Sequence, residues 1–178
     1  MKRLSNIDES VWSDIHKRSN GETVRKEDET TNLRDIKPVD MCKDSHILWA
    51  DRDLEYKDGD CYFTFNDSNE IIKNSEWRLP TVREVLDVFV ESLILLNDKE
   101  IALTERTKRK THLLFNKKGY KHWDANRLYN PETYYCWTSK KCEYTKESYY
   151  SLQADQNQKE VPMYIYNKCC VRLVKDKK

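Results

Sequence analysis

Glycine is almost missing from this 178-residue chain, which holds three: Gly21, Gly59 and Gly119. Phosphate-cradling loops need backbone that only glycine lets come close, so a P-loop or a dinucleotide-binding turn has no material here. No GxSxG elbow occurs, and no local signature marks a serine or cysteine as a nucleophile. Long hydrophobic runs are absent too. The most apolar stretch, Val85 to Leu96, is broken by Asp87 and Glu91 and is too short to cross a bilayer. Met1-Lys2-Arg3-Leu4 opens like a secretory leader, but Ser5, Asn6, Asp8 and Glu9 follow where an apolar segment is required. The expectation is synthesis in a cytosol, with no membrane insertion. A dominant charge is also lacking. With 32 basic and 31 acidic residues, bulk attraction to nucleic acid is excluded and a nucleic-acid partner is not expected.

Cysteine is present but lacks metal-binding spacing. Cys42, Cys61, Cys136, Cys142, Cys169 and Cys170 contain no CxxC pair, and His16, His46, His112 and His122 show neither HxxxH nor HExxH. No metal site and no cofactor are expected. Without an export signal the thiols are read as reduced. Adjacent Cys169 and Cys170 in a strand would face opposite sides.

What the chain does have is aromatics: five Trp, eleven Tyr and four Phe, enough to build a core. The order of elements reads as α+β. Residues 4–21 form an amphipathic helix, with Ser5 as cap, Gly21 as stop, and Ile7, Val11, Trp12 and Ile15 on one side. Residues 22–37 are charged, mixed in sign and poor in large apolar groups, as a tether is. The division is therefore 1–37, docking helix and linker, and 38–178, the folded domain. Ile47-Leu48-Trp49-Ala50 and Cys61 to Phe65 read as short strands around the turn Asp58-Gly59-Asp60. Thr81, with Glu84 three residues on, caps a helix running from Val82 to Asn97. Its apolar face is Val85, Leu86, Val88, Phe89, Leu93 and Leu96. Residues 98–123 read as polar, basic loop. Strands are expected again around Trp137, Tyr149 to Leu152 and Met163 to Val174. Trp49 and Trp137 are expected in the core, and Trp77 and Leu79 against the helix face. Arg78 is expected exposed or in an ion pair.

Several segments, in order over roughly residues 39–176, resemble the FISUMP-type bacterial domain. Val39-Asp40-Met41 and Leu48-Trp49-Ala50-Asp51-Arg52-Asp53-Leu54 resemble its opening. Gly59-Asp60-Cys61-Tyr62-Phe63 is similar to its "GDYF" strand, with a cysteine inserted. Trp77-Arg78-Leu79-Pro80-Thr81 with Glu84 is similar to its "WRLPTxxE" signature, and Gly119-Tyr120-Lys121 to its "GYK" element. Cys136-Trp137-Thr138-Ser139 stands where the family has "YWSS"; Tyr150-Ser151-Leu152 and Val171 to Asp176 resemble its closing strands. The resemblance implies a C-type-lectin-like fold, shared with formylglycine-generating enzymes and phage receptor-binding proteins. It implies surface display and loop-borne binding of sugars or proteins. The functional groups of those relatives are missing. No EPN, QPD or WND calcium motif occurs. The window where the formylglycine-generating enzymes carry two reactive cysteines holds Tyr149 to Leu152 instead. No catalytic residue is assigned. Cys136 and Cys142 are the nearest thiols for an enzyme of that class.

Two regions could bind a partner within the domain. Arg106, Lys108, Arg109, Lys110, Lys117, Lys118 and Lys121 make a local basic patch, read first as a solvated loop. Residues 123–150 mix Tyr, Trp, Asn and Arg in the manner of adaptable binding surfaces. Arg127, Tyr129, Tyr134 and Tyr135 are the candidate ligand contacts. The arm, with its Ile7, Val11, Trp12 and Ile15 face, is the candidate partner-docking element. Its wording also resembles leader segments of bacteriophage structural proteins. The leading expectation is thus a non-enzymatic virion protein, made in the host cytoplasm and held in the virion by its arm. It would bind other virion or assembly proteins through the arm, display a lectin-like domain to host-surface glycan or protein, and form a homo-oligomer. The alternatives are a purely structural virion decoration, a formylglycine-generating-type thiol enzyme, and residence in a bacterial cytoplasm.

Overall fold

The computed structural model describes residues 33–42, 44–106, 109–124, 126–155 and 158–178. The expected arm helix, with Ile7, Val11, Trp12 and Ile15, lies outside the described residues. Within them the chain is α+β, with strands predominating. All strand pairs are antiparallel. A first sheet has the order β1 (Pro38–Val39), β2 (Ile47–Ala50) and β11 (Val174–Asp176), so the start and end of the domain pair. A second runs β3 (Ser92–Leu96), β4 (Glu100–Glu105) and β5 (His112–Asn116). A third runs β10 (Gln158–Tyr164), β9 (Ser148–Ala154) and β8 (Tyr134–Lys141). Strands β6 (Tyr120–Lys121) and β7 (Leu128–Tyr129) form a small ribbon. The helices are α1 (Phe65–Ile72) and α2 (Val82–Glu91).

Two apolar clusters fill the interior, and strand alternation divides them. Tyr134 and Cys136 of β8 enter one cluster, while Tyr135 and Trp137 enter the other. The segment beside β8 divides in the same way: Cys170 and Val174 join the first cluster, Cys169, Val171 and Leu173 the second. The two cysteines therefore face opposite sides, as expected of neighbours in extended chain. Segment and strand are joined by Trp137 N–H to Cys170 O at 3.2 Å and Cys170 N–H to Tyr135 O at 3.1 Å. Trp49 and Trp137 are both buried, and Trp137 Nε1 donates to Phe63 O at 2.8 Å. Trp77 and Leu79 do not lie on the α2 face. They enter the second cluster, whereas Val85, Val88 and Phe89 of α2 enter the first.

The helix expected over 82–97 stops at Glu91. Ser92 is already extended, and Leu93 to Leu96 pair with β4. The run Ser92-Leu93-Ile94-Leu95-Leu96 suits either state, and hydrogen bonding to Ile101–Thr104 decides for strand. Leu93 and Leu96, assigned to the buried helix face, are consequently exposed, as is Leu95 at 68%. The polar loop expected over 98–123 contains β4 and β5, whose inward residues Ile101, Leu103, Leu113 and Phe115 are fully buried. The strand expected over 61–65 is reduced to one bridge, Phe63 to Cys169, because Thr64 caps α1 by accepting from Asp67 N–H at 3.1 Å. The end of the expected tether also packs on the domain. Ile36 is buried, and Lys37 and Asp51 exchange hydrogen bonds of 3.0 and 2.9 Å.

The segment at Trp77–Glu84 couples α2 to the end of the chain. Thr81 and Glu84 form a full capping box. Arg78 is paired, donating to Glu84 Oε2 at 2.9 Å and Oε1 at 2.7 Å, and to Asp176 Oδ1 at 2.9 Å. Burial pushes the Glu84 carboxyl up, but the Arg78 guanidinium and the Thr81 N–H outweigh it, and the net shift is down. The unfolded chain therefore takes up its proton at higher pH than the folded one. The stabilisation is whole above the ordinary glutamate value of about 4.3 and fades as pH falls through the lower folded value. Glu84→Gln is expected to cost about 1–2 kcal/mol at pH 7. In urea titrations across pH, the gap to the parent chain should narrow below about pH 4. A gap constant down to pH 2 would refute this assignment.

Candidate functional site

The β6–β7 ribbon gathers several partly exposed aromatic rings together with polar groups. Lys121 N–H and O bond Lys168 O and N–H, both at 2.9 Å, fixing the ribbon to the closing segment. His122 N–H donates to Arg127 O at 2.9 Å and closes the turn. Asn126 and Asn130 have φ of 50° and 46°, a region that asparagine enters more readily than most residues. Gly119 precedes the ribbon at φ 66°. Its α-carbon lies so close to β7 that a Cβ would meet Tyr129 O at 2.0 Å.

On this frame the Tyr129 ring stacks with Tyr120 at 5.5 Å and an interplanar angle of 18°. The His122 ring lies 5.7 Å from it, and the Arg127 guanidinium 5.5 Å. Leu128 and Tyr129 are exposed, Arg127 is exposed, and Trp123 is half-buried beside His122. His122 Nδ1 pairs with Asp124 Oδ1 at 2.5 Å. Asn130 Nδ2 donates to Tyr135 Oη at 2.9 Å, which in turn donates to Gln153 Oε1 at 3.1 Å. The result is an aromatic platform edged by a guanidinium, an imidazole and amides. Such a surface can stack on the apolar face of a sugar ring or an aromatic side chain while donating hydrogen bonds around it.

Of the four expected ligand contacts, the structure brings Arg127 and Tyr129 together here. Tyr134 and Tyr135 are corrected: both lie in the core. β8 is covered on both sides, so Tyr134 is fully buried and its hydroxyl donates to Asp53 Oδ1 at 2.8 Å. Tyr135 is 2% exposed and its hydroxyl is spent within the fold. Tyr120 and His122 were not foreseen as neighbours of Tyr129. The available signal was Gly119-Tyr120-Lys121 and Leu128-Tyr129-Asn130, two short aromatic runs ready to pair. The basic patch is dispersed. Lys117 Nζ donates to Asn97 O at 2.6 Å, Lys118 lies 3.9 Å from Glu55, and Lys121 lies 3.5 Å from Asp60 and over the Tyr62 ring.

Cys136 and Cys142, the nearest thiols for a formylglycine-generating-type enzyme, are both buried. Cys136 stands opposite Leu152 and Cys142 donates its N–H to Ser148 O, four residues away along β9, a span of roughly 13 Å. Burial pushes the Cys136 thiol up to about 12, which leaves it protonated at neutral pH. The pair that does meet is Cys61 and Cys170, with sulfurs 3.9 Å apart. Nearby, Arg172 is buried at 1% exposure. Its Nε donates to Asp53 Oδ1 at 2.7 Å, Nη1 to Ala50 O at 3.1 Å, and Nη2 to Leu114 O. Among the described residues no group of three or more His, Cys, Asp or Glu gathers as a metal site would. No helix among them is long and apolar enough to cross a membrane.

No protein-family model, curated protein or solved structure matches this chain.

Proposed function

We propose that the chain is a non-enzymatic display or adhesion protein of a virion. The observation that carries this reading is the exposed Tyr129 platform with Arg127 at its edge. A lectin-like fold for residues 38–178 is part of the proposal. It is supported by the FISUMP-like segments, which fall on ordered junctions of the fold: Trp77–Thr81 leads into the helix cap, Gly119–Lys121 lies at the ribbon, and Val171–Asp176 ends in β11. The arm, with its Ile7, Val11, Trp12 and Ile15 face, anchors the chain to other virion proteins. The platform faces outward and takes host-surface glycan or protein. Exposed tyrosine and arginine are the residue types that carry binding energy at such surfaces.

The test uses the full chain in purified particles. Tyr129→Ala with Arg127→Ala is expected to weaken attachment to host cells at least about tenfold. Particle incorporation, read by mass spectrometry, should be unchanged. Removal of residues 1–32 should have the reverse effect, abolishing incorporation; the cut stops there because Ile36 belongs to the core. Unaltered attachment by the double variant overturns the platform as ligand site and leaves structural decoration. Absence of the chain from particles overturns the virion reading itself.

A further inference from the structure

We propose that Cys61 and Cys170 are a buried dithiol which two-electron oxidants convert to an intramolecular disulfide, fastening the loop before α1 to the closing segment. The sulfurs are 3.9 Å apart although the residues are 109 positions apart in sequence. Both backbones are already held in place. Phe63 and Cys169 exchange N–H to O bonds, each 3.0 Å, two residues from Cys61 and one from Cys170. Cys170 is held on its other side by Tyr135 O and Trp137 N–H. A disulfide needs sulfurs about 2 Å apart, so closure requires an approach of about 2 Å. Side-chain rotation from two pinned backbones can supply it.

The pairing is selective. Cys169, though adjacent to Cys170, points into the other cluster and donates to Met163 Sδ at 3.3 Å. Cys136 is fully buried, and burial holds its thiol protonated. Cys61 differs from both. Its hydrogen bond with Cys170 and the nearby Lys118 charge draw its thiol below the ordinary value, against burial. The Lys118 side chain, one-third exposed, is the positive charge beside this sulfur. The thiolate is the attacking form, and Cys61 is the one of the pair placed to supply it. The same hydrogen bond with Cys61, together with burial, pushes Cys170 the other way, as suits the second thiol, which reacts only once its neighbour is oxidised.

With hydrogen peroxide the steps balance. The Cys61 thiolate attacks one peroxide oxygen, the O–O bond breaks, and hydroxide leaves. Cys61 is then a sulfenic acid. The hydroxide takes the Cys170 proton and becomes water. The Cys170 sulfur attacks Cys61 Sγ, the S–O bond breaks, and the departing hydroxide takes up the proton that the Cys61 thiol gave to solvent when it ionised. Two thiols and one peroxide become one disulfide and two waters. A dithiol reductant reverses the change by exchange.

This inference does not rest on the display reading. It asks only that the chain meet an oxidant, as any protein leaving a reducing cytosol does. The test treats the native full chain with hydrogen peroxide and counts thiols after denaturation. The expected result is four of the six thiols remaining, with one peptide pair linking Cys61 and Cys170 by mass spectrometry. The melting temperature should rise by roughly 5–10 °C and return on adding dithiothreitol. Cys61→Ser should abolish the linked pair, Lys118→Met should slow its formation severalfold, and Cys42→Ser should leave it unchanged. Peptide mapping of the unsubstituted chain decides even if Cys61→Ser fails to fold. Six surviving thiols, or a disulfide joining any other two cysteines, would overturn the proposal.

Discussion

Arg172→Met is expected to cost about 3–5 kcal/mol of folding stability, the usual penalty for stranding one half of a buried ion pair. The guanidinium serves three elements at once. It neutralises Asp53 in the loop after β2, donates to Ala50 O at the end of β2 and to Leu114 O in β5, and lies 4.5 Å from the centre of the Phe115 ring. Burial pulls its proton affinity down, and the Asp53 carboxylate more than restores it, so Arg172 stays charged in the core. Methionine fills much of the volume but leaves Asp53 buried, with Tyr134 Oη still donating to it. Two backbone carbonyls also lose a donor. Urea denaturation should show the loss as a lower midpoint with an unchanged slope. The triple change Arg172→Met, Asp53→Leu, Tyr134→Phe should recover most of it, because it removes the stranded charge together with its partners. A triple variant no more stable than the single one would show that the cost is packing around Phe115 rather than charge.

Gly119→Ala is expected to cost roughly 2–5 kcal/mol, summing a left-handed backbone penalty of about 1–2 with an overpacking penalty of about 1–3. Two separate facts compound here. At φ 66° any side chain is strained, and the added methyl would sit 2.0 Å from Tyr129 O and 2.9 Å from Asn130 O. Those are backbone atoms, so no rotamer change relieves the contact. β7 must move away from β6, which carries Tyr129 off Tyr120. If the platform is the proposed ligand site, the substitution should remove attachment along with stability. Gly59→Ala is the control. Its φ is 84°, but the space beside it is open, so it should show the conformational penalty alone. Thermal melts of the two variants separate the contributions. Equal losses would mean that the close approach to β7 is relieved by movement of the ribbon.

The difference between these two glycines bears on what could be read without a structure. The sequence marks Gly59 as a turn between two aspartates, and Gly119 only as the first residue of the Gly119-Tyr120-Lys121 element. Only the pairing of Tyr120 with Tyr129 brings a distant carbonyl over one of them. The candidate site shows the same limit. Arg127 and Tyr129 were legible as exposed polar and aromatic chain near a turn. Tyr134 and Tyr135, five and six residues beyond Tyr129, have the same composition around them. They are lost to the core because β8 is flanked by β9 on one side and by the Cys169–Cys170 segment on the other. Burial on both faces is a property of neighbours.

What the sequence determined by itself was local. Thr81 and Glu84 three residues apart dictate a capping box whatever packs above it, since both hydrogen bonds close within one turn. Ile47 to Ala50 is a strand by its own pattern, and adjacent cysteines in extended chain must face apart. What only the tertiary structure decided was every choice between near-equal local states. Ser92 to Leu96 is as good a helix as a strand until β4 offers its hydrogen bonds. Thr64 begins a helix rather than continuing a strand because its cap is satisfied locally while Phe63 alone is needed to bridge Cys169. Cys61 finds Cys170, and Arg172 finds Asp53, across more than a hundred residues. No local free energy encodes such meetings. They follow from burying two apolar clusters at once, and the polar groups caught between the clusters take the partners that burial leaves them.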